Sequence, residues 1–294
     1  METGFVRSET LHNGTFDVLS RQPNPRLRAF VHDYQGYIDH TPDEFSRREL
    51  PGGHVVFIIS FGPPYVVSNA HSRDAVVCSS FIAGLQDTYV TNTQGGPTVG
   101  VQIDLTPVGA FLFLGRPMDE LANRTVSLGD LFGDERASLT PRLAEAPDWD
   151  ARFAMLDAMI LASIAAARPA SRGVVWAWRK LEETRGCASI GSLADDLGWS
   201  RKHLVAKFRE QIGLTPKTAA RIRRFNSALT LIERGAELPW TEIAYRSGYY
   251  DQAHFIRDFS EFTGVTPSEF VASRVSSGRR PQVTSVQYQD GGST

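Results

Sequence analysis

Gln252, Arg257 and Lys202 are the side chains whose types and spacing best suit a defined chemistry. A glutamine amide can pair with adenine N6 and N7, and an arginine guanidinium with guanine O6 and N7, each through two hydrogen bonds to one base edge. At about 100° per residue, Ala253, Arg257 and Ser260 fall opposite the apolar stripe of Phe255 and Phe259, with His254 at its edge and Gln252 in the first turn. The same layout occurs 51 residues earlier. There Lys202, Ala206, Arg209 and Glu210 fall opposite Leu204, Phe208 and Ile212, with His203 at the edge and Arg201 in the first turn. Such a polar N-terminal half is what a recognition helix offers to a major groove, where alanine can only touch apolar atoms such as a thymine methyl.

The elements that must position these residues are duplicated. One copy runs Ile190, Leu193, Ala194, Gly198, Leu204, Phe208, Gly213, Pro216, and the other Trp240, Ile243, Ala244, Gly248, Phe255, Phe259, Gly264, Pro267. Early positions repeat after 50 residues and late ones after 51, so the second copy has one extra residue in its turn. Ser189 and Ser200 are the expected N-caps in the first copy and Asp251 in the second, with Gly198 as the left-handed stop between the two helices of the first. Between the copies Thr215-Pro216 opens a long helix through about Arg234, with Ile222, Phe225, Leu229 and Ile232 on one side. A helix of about 20 residues spans about 30 Å, close to one turn of B-DNA, and could hold both reading helices in successive major grooves. Arg221, Arg223 and Arg224 lie off the apolar side and are expected to approach phosphate.

This region, roughly Val174 to Val271, resembles the AraC/XylS family of bacterial transcription regulators. The likeness rests on Ile190-x-x-Leu193-Ala194, Ser200-x-x-x-Leu204-x-x-x-Phe208, Gly213-x-x-Pro216, the stretch from Ile243 to Phe259, and Gly264 to Phe270. The resemblance implies a seven-helix domain whose base-contacting positions fall on Lys202, Val205, Ala206, Gln252, Ala253, His254 and Arg257. Many relatives carry larger polar residues where this chain has Val205 and Ala206, which implies thin hydrogen-bond readout by the first helix, with Arg201 as a compensating contact.

The first half reads differently. Val55–Ile59, Tyr65–Val67, Ser80–Ala83, Thr88–Thr91 and Val99–Ile103 are short β-type runs separated by Gly-, Pro- and Asn-rich turns, the pattern of a sandwich or barrel. Helical patterns follow Pro107, the clearest from Trp149 to Ala167. The fold class expected is therefore α+β in two domains. A cupin-like β-barrel with following helices occupies 1–168 as a sensor or dimerisation domain, an all-α domain with two helix-turn-helix motifs occupies 172–275, and 276–294 forms a disordered tail. Phe57, Phe61, Phe81 and Tyr89 are candidates for a pocket lining or for core. Trp149–Ala167 can pair with its mate in a dimer or pack on the barrel.

Residues 1–171 hold 13 Lys+Arg against 20 Asp+Glu, and 172–275 hold 16 against 12, so the basic half is the one expected to meet a polyanion. His12, His32, His40, His54 and His71 form no His-x-His pair, and the two cysteines, Cys78 and Cys187, stand far apart; no metal, cofactor or disulfide is expected. No secretory leader or membrane-length apolar run is read, so the expected location is cytoplasmic. The expected partner is double-stranded promoter or operator DNA. RNA polymerase, a small-molecule effector and a second copy of the chain are open as further partners. The function expected is a sequence-specific DNA-binding transcriptional regulator without catalysis. The rivals are control by a protein partner without a small ligand, and an enzyme fused to a DNA-binding module, such as an alkylation-repair methyltransferase, which would need a cysteine cluster that Cys78 and Cys187 do not make.

Overall fold

The computed structural model describes residues 6–11, 14–71, 74–133, 138–235, 238–276 and 285–287. The strand-rich half forms two antiparallel sheets, neither of which closes on itself among the described residues. One sheet has the order β1 (Val6–Leu11), β2 (Gly14–Arg21), β3 (Val31–Asp39), β10 (Thr98–Leu105), β5 (Val55–Ser60), β8 (Phe81–Ala83), β11 (Thr125–Ser127). The other runs β12 (Ser285–Gln287), β4 (Glu44–Glu49), β9 (Val90–Gly95), β6 (Tyr65–Asn69), β7 (Val76–Cys78). The central strands bury one face in the core, with Val55, Phe57 and Ile59 on β5 and Val101, Ile103 and Leu105 on β10 alternating inward. Ser285–Gln287 pairs antiparallel with Glu49–Arg47 of β4, where its backbone groups find partners on a sheet edge. The remainder of 277–294 lies outside the described residues.

The aromatics that could have lined a pocket are taken up in packing. Phe57 and Phe81 are buried, Phe61 lies half-buried beneath the Arg152 guanidinium (5.6 Å), and Tyr89 lies beneath that of Arg48 (4.6 Å). Helix α4 (Trp149–Ala166), which follows α1 (Pro107–Leu114), α2 (Leu128–Phe132) and α3 (Leu139–Ala144), packs on the sheet through Phe153, Leu156 and Ile160. Its buried Asp157 accepts from Tyr34 Oη (3.0 Å), the Asn24 amide (3.1 Å) and Arg21 Nη2 (3.4 Å). The Trp149 ring lies directly on Gly36, the close approach that fixes the helix at its N-terminal end.

Asp104, buried on β10 opposite Asp33, accepts a 2.9 Å bond from Gln102 Nε2. Burial raises its carboxyl to about 6, and neighbouring Asp33 adds to the shift. The folded chain thus holds a proton that the unfolded chain releases near pH 4, so this group's contribution is full in acid and is lost as pH rises through about 6. Asp104→Asn should remove a decline of about 1 kcal/mol between about pH 5 and 7, read by urea denaturation at both pH values. An unchanged pH dependence would contradict the assignment.

Seven helices follow among the described residues: α5 (Arg172–Glu183), α6 (Ile190–Asp196), α7 (Arg201–Ile212), α8 (Pro216–Glu233), α9 (Trp240–Arg246), α10 (Gln252–Thr263) and α11 (Pro267–Ser276). They share one continuous apolar core with the strand-rich half. Helix α1, capped by Thr106 and buried along most of its length, lies between the sheet, α4 and α7. Further polar contacts cross between the halves: Ser171 N to Gln211 Oε1 (2.9 Å), Thr88 Oγ1 to the Glu261 carbonyl (3.2 Å) and Arg48 Nη1 to the Thr263 carbonyl (3.4 Å). No helix among the described residues is long and apolar enough to cross a membrane.

Candidate nucleic-acid interface

Each predicted cap is made. Ser189 Oγ accepts from Ser192 N (3.2 Å), Ser200 Oγ from His203 N (3.2 Å), Thr215 Oγ1 from Thr218 N (3.1 Å) and Asp251 Oδ1 from His254 N (2.7 Å). The chain leaves each first helix through a left-handed glycine, Gly198 at φ 63° and Gly248 at φ 79°. The buried stripes are Leu204, Phe208 and Ile212 on α7, and Phe255, Phe259 and Phe262 on α10. Ala194 and Ala244 are buried at the helix crossings, where a small side chain allows close approach.

Gly248 is constrained twice. Its φ favours glycine, and a Cβ there would run into the Cys187 sulfur. Gly248→Ala should therefore lower stability by about 1–2 kcal/mol in thermal or urea unfolding. Gly198 has open space around it, so Gly198→Ala carries only the backbone share of that loss.

The structure places the expected site residues as follows. Arg201, Lys202, His203, Ala206 and Arg209 are exposed on α7, and Val205 is half-buried. On α10, Ala253 and Arg257 are exposed, while Gln252 and His254 are half-buried. Arg201, Lys202, Arg209 and Arg257 make no ion pair among the described residues, which leaves four cations along the two helix faces. Lys207, by contrast, is bound to Glu210 (2.8 Å).

The two histidines are braced in the same way. Trp199, which follows Gly198, meets His203 edge-on at 4.7 Å; Tyr249, which follows Gly248, meets His254 edge-on at 5.2 Å. His254 Nε2 also lies 3.7 Å from the buried Asp258 carboxylate. Sequence reasoning missed these aromatic braces, although a large ring directly after the turn glycine in both copies was the available signal.

The three arginines of α8 are a correction. Expected near phosphate, they are engaged inside the protein. Arg221 grips Asp258 (2.9 Å) and Glu261 (2.6 Å) of α10. Arg223 binds Glu182 (2.6 Å) of α5, over the Trp178 ring, and presses on Gly53. Arg224 donates to the Gly186 carbonyl (2.8 Å) over the Tyr249 ring. The helix therefore does more than space the motifs: its cations tie α10 and the loop before α6 to one axis.

Elsewhere, His54 stacks on His32 at 4.4 Å, and burial, with His32 and Arg223 nearby, lowers its imidazole to about 3, so it is neutral. His71 bonds Asp87 (2.6 Å), and Cys78 and Cys187 are both free thiols. Among the described residues no three His, Cys, Asp or Glu side chains gather as a metal site.

A helix-turn-helix domain family profile matches residues 193–273, which takes in the first motif from Leu193 onward and the whole of the second. Residues 193–273 thus carry a helix-turn-helix domain. A second profile, a domain of unknown function, matches residues 19–127. An uncharacterized HTH-type transcriptional regulator of Staphylococcus aureus (strain MSSA476) is 30% identical over 105 residues, which is 35% of this chain and 14% of that protein. The chain thus spans a small part of that relative's length. The uncharacterized HTH-type transcriptional regulator YbfI of Bacillus subtilis (strain 168) is 33% identical over 66 residues, 22% of this chain and 23% of its own. Among solved structures, ToxT from Vibrio cholerae aligns over 81% of this chain and 98% of its own at 10% identity, with a TM-score of 0.48. The C-terminal domain of AraT, a response regulator from Geobacillus stearothermophilus, aligns over 36% of this chain and 89% of its own at 26% identity and a TM-score of 0.34. The matched segment includes the second helix of each motif, α7 and α10, and the positive-φ glycine that closes each, Gly213 and Gly264.

Proposed function

We propose that the chain is a cytoplasmic, sequence-specific DNA-binding transcriptional regulator. One observation carries this reading: two capped helices present equivalent first turns, and the arginines of one long helix hold the motifs that bear them. In this reading residues 172–275 bind promoter or operator DNA through Arg201, Lys202, His203, Val205, Ala206, Arg209, Gln252, Ala253, His254 and Arg257. Residues 1–168 sense a small effector or dimerise, and 276–294 form a tail.

Control has a physical route. The strand-rich half touches the C-terminal end of each recognition helix: Met118 lies against Gly213 after α7, and Thr88, Tyr89 and Arg48 lie against Glu261, Thr263 and Gly264 around the end of α10. An effector or second copy that shifts these contacts changes how the two reading helices sit relative to each other. Selecting bound sites from random duplexes with the full chain is the test. Enrichment of a two-part site whose elements lie about one helical turn apart is the expected result. A folded chain that enriches no sequence overturns the reading.

A further inference from the structure

Tyr250 is the residue by which the second motif exceeds the first. Gly198-Trp199-Ser200 and Gly248-Tyr249-Tyr250-Asp251 align at the turn glycine, at the ring that braces the histidine, and at the N-cap. Tyr250 is what remains. Its side chain is 94% exposed, with no hydrogen bond or ring contact among the described residues. Tyr245, one turn earlier on α9, is 79% exposed, and these are the two most exposed large apolar side chains among the described residues. The first motif has nothing similar: Asp195 stands where the second has Tyr245.

The position of Tyr250 narrows what can cover it. Its Cα is one peptide, about 3.8 Å, from that of the N-cap Asp251 and two from Gln252. When the first turn of α10 enters a major groove, the residue before the cap stands at the groove's lip, beside the sugar-phosphate strand that the first helix of such a motif crosses. It lies too far back to reach the groove floor, so it does not read bases. A protein seated over Tyr250 would collide with the duplex that α10 engages. A phenol suits the remaining surface, because its hydroxyl can donate to a phosphate oxygen while its ring covers the adjacent sugar.

We propose that Tyr250 is an uncharged DNA-backbone contact that anchors the second motif, an inference that rests on the DNA-binding reading above. Its signature differs from that of a lysine or arginine contact. A cation at a phosphate releases counterions and steepens the salt dependence; a tyrosine adds affinity without changing that slope.

The test titrates the full chain, Tyr250→Phe and Tyr250→Ala against the selected duplex and a scrambled one across a salt series. Circular dichroism melts check that all three fold alike. We expect binding about fivefold weaker for Tyr250→Phe and about tenfold or more weaker for Tyr250→Ala. The factor should match on both duplexes, with parallel log K against log salt lines. Wild-type affinity in both variants overturns the proposal, and so does a loss confined to the selected duplex, a changed salt slope, or a Phe variant that binds like wild type. A wild-type chain that does not distinguish the two duplexes sinks the regulator reading itself, an outcome separate from all of these.

Discussion

Replacing Arg221 with alanine is expected to destabilise the C-terminal half by about 3 kcal/mol. The Asp258 side chain is 4% exposed and that of Arg221 21% exposed, so the pair is largely out of water. Arg221 supplies Asp258 Oδ1 with two bonds, from Nε (3.2 Å) and Nη2 (2.9 Å), and reaches Glu261 with both terminal nitrogens (2.6 and 3.2 Å). Its guanidinium also lies 5.0 Å from the centre of the Phe262 ring. Removing it leaves a carboxylate buried beside His254 at 3.7 Å, and an unpaired buried charge costs far more than a surface pair contributes.

The identity of the penalty can be checked in the same experiment. If the loss comes from the stranded charge, Asp258→Asn in the Arg221→Ala background should recover part of it, because the amide does not have to hold a charge. Glu261→Ala, which removes the half-exposed partner, should cost less than about 1 kcal/mol. Urea denaturation of the four chains gives the comparison. A loss below about 1 kcal/mol for Arg221→Ala, or no recovery in the double variant, would mean that water reaches Asp258 and the pair is an ordinary surface contact.

Why this anchor escaped the sequence reading shows where such reading stops. Caps, turn glycines and apolar stripes are local: Ser200, Asp251, Gly198 and the Leu204–Phe208 spacing each carry their own reason within one or two turns of helix. The helices accordingly fall close to expectation, with α4 ending at Ala166 and α8 at Glu233. Strands β5, β6, β8, β9 and β10 were legible for the same reason, as β-branched runs between turn formers. Their distribution over two sheets was not, since β10 finds β3 and β5 through pairings that no local pattern encodes. Strand β4, Glu-Phe-Ser-Arg-Arg-Glu, is charged and half-buried between β12 and β9 and reads as a loop. The arginines are the sharpest case. Arg221, Arg223 and Arg224 look free on a helical wheel, yet each is claimed by a group about 40 residues away. Asp258 gave a faint signal, as a charge three residues after Phe255 on a face that must be buried; its counterpart in the first motif, Lys207, is half-buried and bonded to Glu210.

Arg257 is the opposite kind of arginine, and its loss should show in specificity rather than in folding. It is exposed, has no ion pair among the described residues, and shares its helix face with Ala253. The first motif has Ala206 at the equivalent place, so the guanidinium belongs to one reading helix only. Arg257→Ala should weaken binding to the selected duplex by about 1–3 kcal/mol while leaving most affinity for random DNA intact. Repeating the selection with the variant should relax the sequence preference at one base pair of the second element and leave the first element unchanged, because Arg201, Lys202 and Arg209 are untouched. A guanidinium that merely neutralised phosphate would behave otherwise, with equal losses on both duplexes, a salt slope lower by about one and no relaxed position. That pattern would remove Arg257 from base readout and leave Gln252 as the polar side chain in the first turn of α10 able to discriminate a base edge.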